Sequence, residues 1–140
     1  MGTSDCIFCK IALGDIPSLR LLETPDSLAF LDVNPLAPGH ALLIPKKHYQ
    51  GILDVPDDVL QSLARRLPEL AGAILRSTGA TGLNVLQNTG RSSGQAVFHL
   101  HIHLIPRCDG DGLGYRWNAG AYAEGQAEAM QSKITSELPD

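Results

Sequence analysis

Within Phe98 to Arg107, FHLHIHLIPR, the residues His99, His101 and His103 alternate with Leu100 and Ile102, so three of the five histidines fall in five positions. Imidazole titrates near neutrality and can act as nucleophile, base, acid or metal ligand. On a strand, residues two apart share a face. The spacing therefore predicts three rings in one row about 7 Å apart, with Leu100, Ile102 and Leu104 turned toward a core. Three readings compete. A solvated face would more naturally carry Thr, Lys or Glu. A single ion shared by all three rings is awkward, because the outer pair would lie about 13 Å apart along the strand and a tetrahedral site is much smaller. An active site is the third.

Upstream of the row lies the small-residue turn from Asn88 to Gln95, NTGRSSGQ. Backbone N–H groups in Gly90 to Gln95 can face an anion, and the side chains of Asn88 and Gln95 can donate to phosphate oxygens. Glycine also serves ordinary hairpin turns, so this signal is weak alone. Cys6 and Cys9 form C-x-x-C, and Cys108 is the only other cysteine. The odd count argues against a disulfide framework and raises metal binding or redox chemistry instead.

Several elements must position these groups. Residues 6–13 suit one or two helical turns ended by Gly14. Residues 18–23, 27–31 and 40–44 read as strands, the first two joined across Thr24-Pro25-Asp26 and the third stopped by Pro45. Residues 33–39, with two prolines and a glycine, read as a loop. Apolar residues at 60, 63, 67, 70 and 74 give the helical period over 57–77, with Pro68 expected to kink or shorten that helix. Residues 82–87 and 96–105 are the strongest strand candidates. A glycine-rich loop follows over 108–121, then a weak helix over 122–138. The order predicts an α+β fold with a mainly antiparallel sheet, one long helix and a short N-terminal helix.

The length of 140 residues suits one domain, with a core over about 5–107 and a C-terminal extension over 108–140. A formal charge of −4 excludes the basic stripe that a nucleic-acid partner needs, so a small-molecule partner is expected. No apolar run approaches the ~18 residues of a membrane span. The N-terminus lacks the pattern of a signal peptide. Together these predict a cytoplasmic protein with no membrane partner.

The stretch GQAVFHLHIHLIPR resembles the histidine triad (HIT) family, whose pattern is His-x-His-x-His with apolar residues between. FLDVNPLAPGHALLIPKKH, from Phe30 to His48, and CIFCKI resemble the same family, so the likeness runs from about Cys6 to Arg107. The nearest branch looks like the bacterial form of the Hint-type nucleotidyl hydrolases. The resemblance implies a HIT-like fold, a homodimer, and a hydrolase or transferase acting at the α-phosphate of a purine nucleotide. The substrate class implied is an adenosine 5'-phosphoramidate, with a dinucleoside polyphosphate hydrolase or a nucleotide-binding module of little catalysis as alternatives.

Residue by residue, the resemblance makes His101 the nucleophile that forms a nucleotidyl-histidine, His103 a phosphate contact and His40 a member of the same network. It assigns Asp32 to the ribose hydroxyls, Ile7, Phe8, Phe30 and Val33 to the surround of the base, and Asn88, Gly94, Gln95 and Ala96 to the phosphate side. It implies no catalytic metal. It also implies a structural zinc on Cys6, Cys9, His48 and His99, a Cys₂His₂ set that closes a tetrahedron. One departure stands out: relatives often carry Ser or Thr where this chain has Ala96, so the backbone N–H remains but a side-chain hydroxyl does not. In relatives the C-terminal segment often influences specificity, and Trp117 is the conspicuous residue there.

Overall fold

Five short apolar segments pair, all antiparallel, into one sheet of order β1-β2-β3-β5-β4. The strands are β1 (Arg20–Glu23), β2 (Ser27–Leu31), β3 (Ala41–Pro45), β4 (Gly82–Gln87) and β5 (Ile102–Arg107). This computed structural model describes residues 3–113 and 119–139; Trp117 lies outside them. Four α-helices complete the described chain: α1 (Ile7–Leu13), α2 (Asp57–Ala64), α3 (Leu67–Thr78) and α4 (Gln126–Glu137). This is the α+β architecture with an antiparallel sheet that the sequence predicts.

The period of two along the strands divides the core between the two faces of the sheet. On one face, Ala29, Ala41, Leu43, Leu100, Ile102 and Leu104 meet Leu63 of α2 and Leu70 and Ile74 of α3. On the other, Leu28, Phe30, Leu42 and Ile44 meet Cys6, Phe8, Cys9 and Ile11 at the α1 end of the chain. The histidines share this second face with α1. Every residue of α4 is exposed, including Met130 and Ile134.

Two expectations need correcting. The predicted long helix is two helices, because Pro68 has no N–H to offer the Ala64 carbonyl and its ring crowds that carbonyl. The first helix stops there, and Pro68 sits in the first turn of α3, where its fixed φ is favourable. The second concerns the histidine strand, expected over 96–105. The β5 ladder begins only at Ile102, opposite Leu43 of β3 and Gln87 of β4. His99 and His101 precede it in an irregular segment. Their partners are already used: the Leu100 amide bonds to the Tyr49 carbonyl at 2.7 Å, and the Pro45 carbonyl at the end of β3 accepts from the His99 ring at 2.8 Å. The alternation of faces nonetheless continues through the irregular segment, since Leu100, Ile102 and Leu104 all reach the same core cluster.

Candidate active site and metal cluster

The first turn of α1 brings the two cysteines to the sheet. Cys6 caps the helix, its Sγ accepting from the Cys9 amide at 3.4 Å. His48 arrives just beyond the end of β3 and His99 from the irregular segment before β5. Their ligand atoms all lie within 4.8 Å of one another. The sulfur-to-nitrogen separations are 3.3 Å for Cys6–His99, 3.4 Å for Cys9–His48 and 3.5 Å for Cys9–His99. A tetrahedral zinc, with Zn–S near 2.3 Å and Zn–N near 2.0–2.1 Å, sets that separation at about 3.5 Å. The donor set and the spacing thus fit one tetrahedral ion.

The protonation pattern fits as well. A carbonyl only accepts, so the His99 Nε2 that meets the Pro45 oxygen carries the hydrogen and Nδ1 presents a lone pair to the cluster. A ligating imidazole with its second nitrogen bound to a carbonyl is the usual outer support of a metal site. Burial, followed by the neighbouring His48 and His101, pushes the His99 pKa down to about 4, which keeps the ring neutral. Burial and the adjacent Cys6 push the Cys9 thiol up to about 11. A bound cation reverses that preference and holds the sulfur as thiolate, so metal binding here releases protons.

The other two members of the row face a different neighbourhood. His101 is buried, and its Nδ1 donates to the His99 carbonyl at 2.7 Å, so the neutral ring carries its lone pair on Nε2. Burial lowers its pKa and favours that neutral form. Its ring centroid lies 5.0 Å from that of His103 and 5.1 Å from that of Phe8, edge-on in both cases. His103 belongs to a chain of defined protons. The Leu36 amide donates to His40 Nδ1 at 3.0 Å. His40 therefore donates from Nε2 to His103 Nδ1 at 2.9 Å, and Nε2–H is the donor that His103 has left to offer. Burial first, then the nearby His101 and His40, push the His103 pKa down to about 4.

Asp32, just after β2, places a carboxylate oxygen 3.6 Å from His40 Nε2, while its other oxygen accepts from the Asn34 amide. Asp32, His40 and His103 form a second close group of ligand types. The Leu36 amide places the His40 hydrogen on Nε2, the very nitrogen that faces the group, so in this arrangement it has no lone pair for an ion. The side chain is committed to hydrogen bonding instead.

The turn before the row holds the remaining expected residues in unequal roles. Gly94 adopts φ +107, and a Cβ there would lie 3.4 Å from Asn88 Nδ2, so glycine lets the turn close against Asn88. The Asn88 side chain has no hydrogen-bond partner among the described residues and keeps its donors. The buried Gln95 has none to spare: its amide nitrogen donates to the carbonyls of Gln50 and Val97, its oxygen accepts from Gly90, and its backbone N–H goes to the Gly90 carbonyl. It clamps the turn. Ala96 is exposed, and its backbone N–H has no partner among the described residues. Of the apolar set, Phe8 and Phe30 are buried and pack edge-on at 5.6 Å, whereas Ile7 and Val33 present exposed side chains.

A family model described as the HIT domain matches residues 14–110. The chain belongs to the histidine triad family. A HIT family protein of Bacillus subtilis, solved by crystallography, superposes on this member with a TM-score of 0.91 at 37% identity, covering 97% of this chain and 99% of that one. An adenosine 5'-monophosphoramidase of Candida albicans is 40% identical over 140 residues, 96% of this chain and 92% of that protein. A zinc-bound histidine triad family protein of Mycobacterium smegmatis is 33% identical, with a TM-score of 0.76 and coverage of 98% and 100%.

Three supports in this HIT protein were missed in the sequence: the Pro45 carbonyl on His99, the Leu36 amide on His40, and Phe8 against the His101 ring. The first two are backbone groups that no residue type announces. The third carried a signal, an aromatic residue inside C-x-x-C, but nothing in the spacing shows which ring it meets.

Proposed function

We propose that this chain is a purine nucleotide hydrolase of the phosphoramidase type, acting at the α-phosphate through a covalent intermediate on His101. The observation that carries the reading is the pair of opposite tautomers on adjacent rings. His101 carries a lone pair on Nε2, while His103, through His40, carries a hydrogen on Nε2. One ring is prepared to attack phosphorus and the other to donate to a phosphate oxygen. The name of the Candida relative supplies the substrate class.

In the first step the His101 Nε2 lone pair bonds to the α-phosphorus, the bond to the leaving amine breaks, and the amine departs with a proton drawn from water. In the second, water attacks phosphorus, the histidine–phosphorus bond breaks, and the nucleoside monophosphate leaves as His101 regains its lone pair. Negative charge on the phosphate oxygens meets the His103 N–H, the Asn88 amide and the backbone N–H of Ala96. Asp32 is assigned to the ribose hydroxyls, as an acceptor for two donors. Ile7, Phe8, Phe30 and Val33 surround the base, with the exposed Ile7 and Val33 free to cover it. A zinc ion on Cys6, Cys9, His48 and His99 would be structural, since four protein ligands leave no open position, and it would tie α1 to the sheet.

The chain is further proposed to act as a cytoplasmic homodimer. Its three free cysteines suit a reducing compartment, and the outer edge of β4 pairs with no strand among the described residues, leaving Val85 exposed. Sedimentation of the full chain as a monomer would overturn the dimer.

The test of function is a side-by-side rate comparison on adenosine 5'-phosphoramidate, its guanosine analogue and a dinucleoside polyphosphate. The reading expects the adenosine phosphoramidate to give the highest kcat/KM. Preference for the dinucleoside polyphosphate would reassign the substrate class. Binding of AMP with no cleavage of any of the three would make the chain a binding module.

A further inference from the structure

We propose that His99 and Phe8 are positioning residues through which the metal cluster sets the tautomer and orientation of the His101 imidazole, an inference that rests on the function proposed above. His99 does two things at once. Its ring is fixed at both nitrogens, Nε2–H on the Pro45 carbonyl at 2.8 Å and Nδ1 toward Cys6 and Cys9 at 3.3 and 3.5 Å. Its own carbonyl accepts from His101 Nδ1 at 2.7 Å. That carbonyl is the partner that places the His101 hydrogen on Nδ1 and the lone pair on Nε2.

Nothing in the sheet fixes this carbonyl. The β5 ladder starts at Ile102, so His99 lies ahead of it. The direction of the His99 peptide is set by the Leu100 amide on Tyr49 and by the anchored His99 side chain. Releasing the ring from the cluster leaves the side chain on the Pro45 carbonyl alone, which weakens one of these two anchors and gives the carbonyl more freedom to turn. His101 can then take its other tautomer, with Nε2 protonated and without a lone pair for attack.

Phe8 gives a second route between the same two places. It sits between Cys6 and Cys9, and its ring lies edge-on to His99 at 5.9 Å, to His101 at 5.1 Å and to Phe30 at 5.6 Å. A loosened cluster leaves α1 held to the sheet by its apolar contacts, without the cross-link, and α1 carries the ring that packs against the side of His101. The same four ligands that tie the N-terminal helix to the sheet therefore also hold the reacting ring.

The test compares full-length protein as purified with one zinc per chain, the same protein stripped by a chelator, and a Phe8→Leu variant that keeps its zinc. Zinc content is measured directly, the His101 tautomer is read from long-range ¹H–¹⁵N spectra of the histidine rings, and formation of the nucleotidyl adduct is followed by rapid quench with adenosine 5'-phosphoramidate. The loaded protein should show a single His101 tautomer. Stripping should give a mixture of tautomers and slow adduct formation by about 10–100-fold, the usual loss when the support of a metal ligand is disturbed, with KM little changed. Phe8→Leu should give a mixture of His101 tautomers in the absence of substrate with zinc still bound, a change that a lost contact to the base would not produce, and should slow adduct formation. An unchanged tautomer and an unchanged rate in the stripped protein overturn the proposal. If stripping unfolds the chain, Phe8→Leu decides, and an unchanged spectrum and rate in that variant overturn it. If the loaded protein forms no adduct, the function reading fails, and the tautomer comparison still decides this one.

Discussion

His101 and His103 are chemically the same side chain, and what separates them is which backbone group each one meets. A carbonyl fixes the hydrogen of His101 on Nδ1, and an amide, acting through His40, fixes that of His103 on Nε2. On the role proposed for His103, replacing it with Ala removes one donor to the developing phosphate charge, and kcat should fall by about 10²–10³ with near-normal thermal unfolding. A fall of less than threefold, measured at saturating substrate, would remove His103 from the charge-stabilising set. The pH dependence follows from the same burial. His103 is neutral in the fold, and its pKa is pushed down to about 4, below the ordinary value near 6.5. Its neutral form is therefore kept as pH drops through 6.5, and activity should hold below that pH and fall only on approach to 4. The unfolded chain takes up the proton first, so the contribution of His103 to stability is complete above about 6.5 and shrinks as pH falls from there toward 4. A rate profile with its midpoint at 6.5 would show that this ring titrates as if it were in water.

At the scale of elements, the pattern of apolar residues made much of this architecture legible. Residues 27–31 and 82–87 form strands with the expected bounds. Leu100, Ile102 and Leu104 enter the core together, as period two requires. What the pattern could not show is where a ladder stops, because that depends on which neighbouring carbonyl is already taken. The His99 ring occupies the Pro45 carbonyl and the Leu100 amide goes to the Tyr49 carbonyl, and the β3–β5 ladder starts only at Ile102. Across this irregular start, His99 lies beside Cys6, Cys9 and His48, while His101 lies beside His103. Likewise, Pro68 announced a disturbance in the helix, but not that two helices would result. The loop before β3 shows how closely elements must meet. Gly39 has φ +96, and a Cβ there would come within 2.6 Å of Thr78 Cγ2 at the end of α3. Gly39→Ala should destabilise the fold by about 1–3 kcal/mol through backbone strain. It should also lower kcat, because His40 is the next residue. Denaturant unfolding and initial rates check both, and a variant as stable and as active as the parent would contradict this account of the loop.

Across the whole molecule, one sheet carries both histidine clusters on its α1 face. α2 and α3 seal the opposite face with Leu63, Leu70 and Ile74, which leaves the histidine side to α1, the metal cluster and the candidate nucleotide site. The fold thus places a candidate metal ligand, His99, and the proposed nucleophile, His101, two residues apart on one chain segment. Covalent attachment of the nucleotide to His101 is open to one direct measurement. The full chain is mixed with adenosine 5'-phosphoramidate, quenched in alkali within the first turnover, and mapped by peptide mass spectrometry, with His101→Ala run in parallel. An adenylyl group should map to His101, forming and decaying at rates consistent with turnover, with neither adduct nor turnover in the variant. Turnover by His101→Ala at the parent rate, or an adduct that maps to another residue, would contradict it.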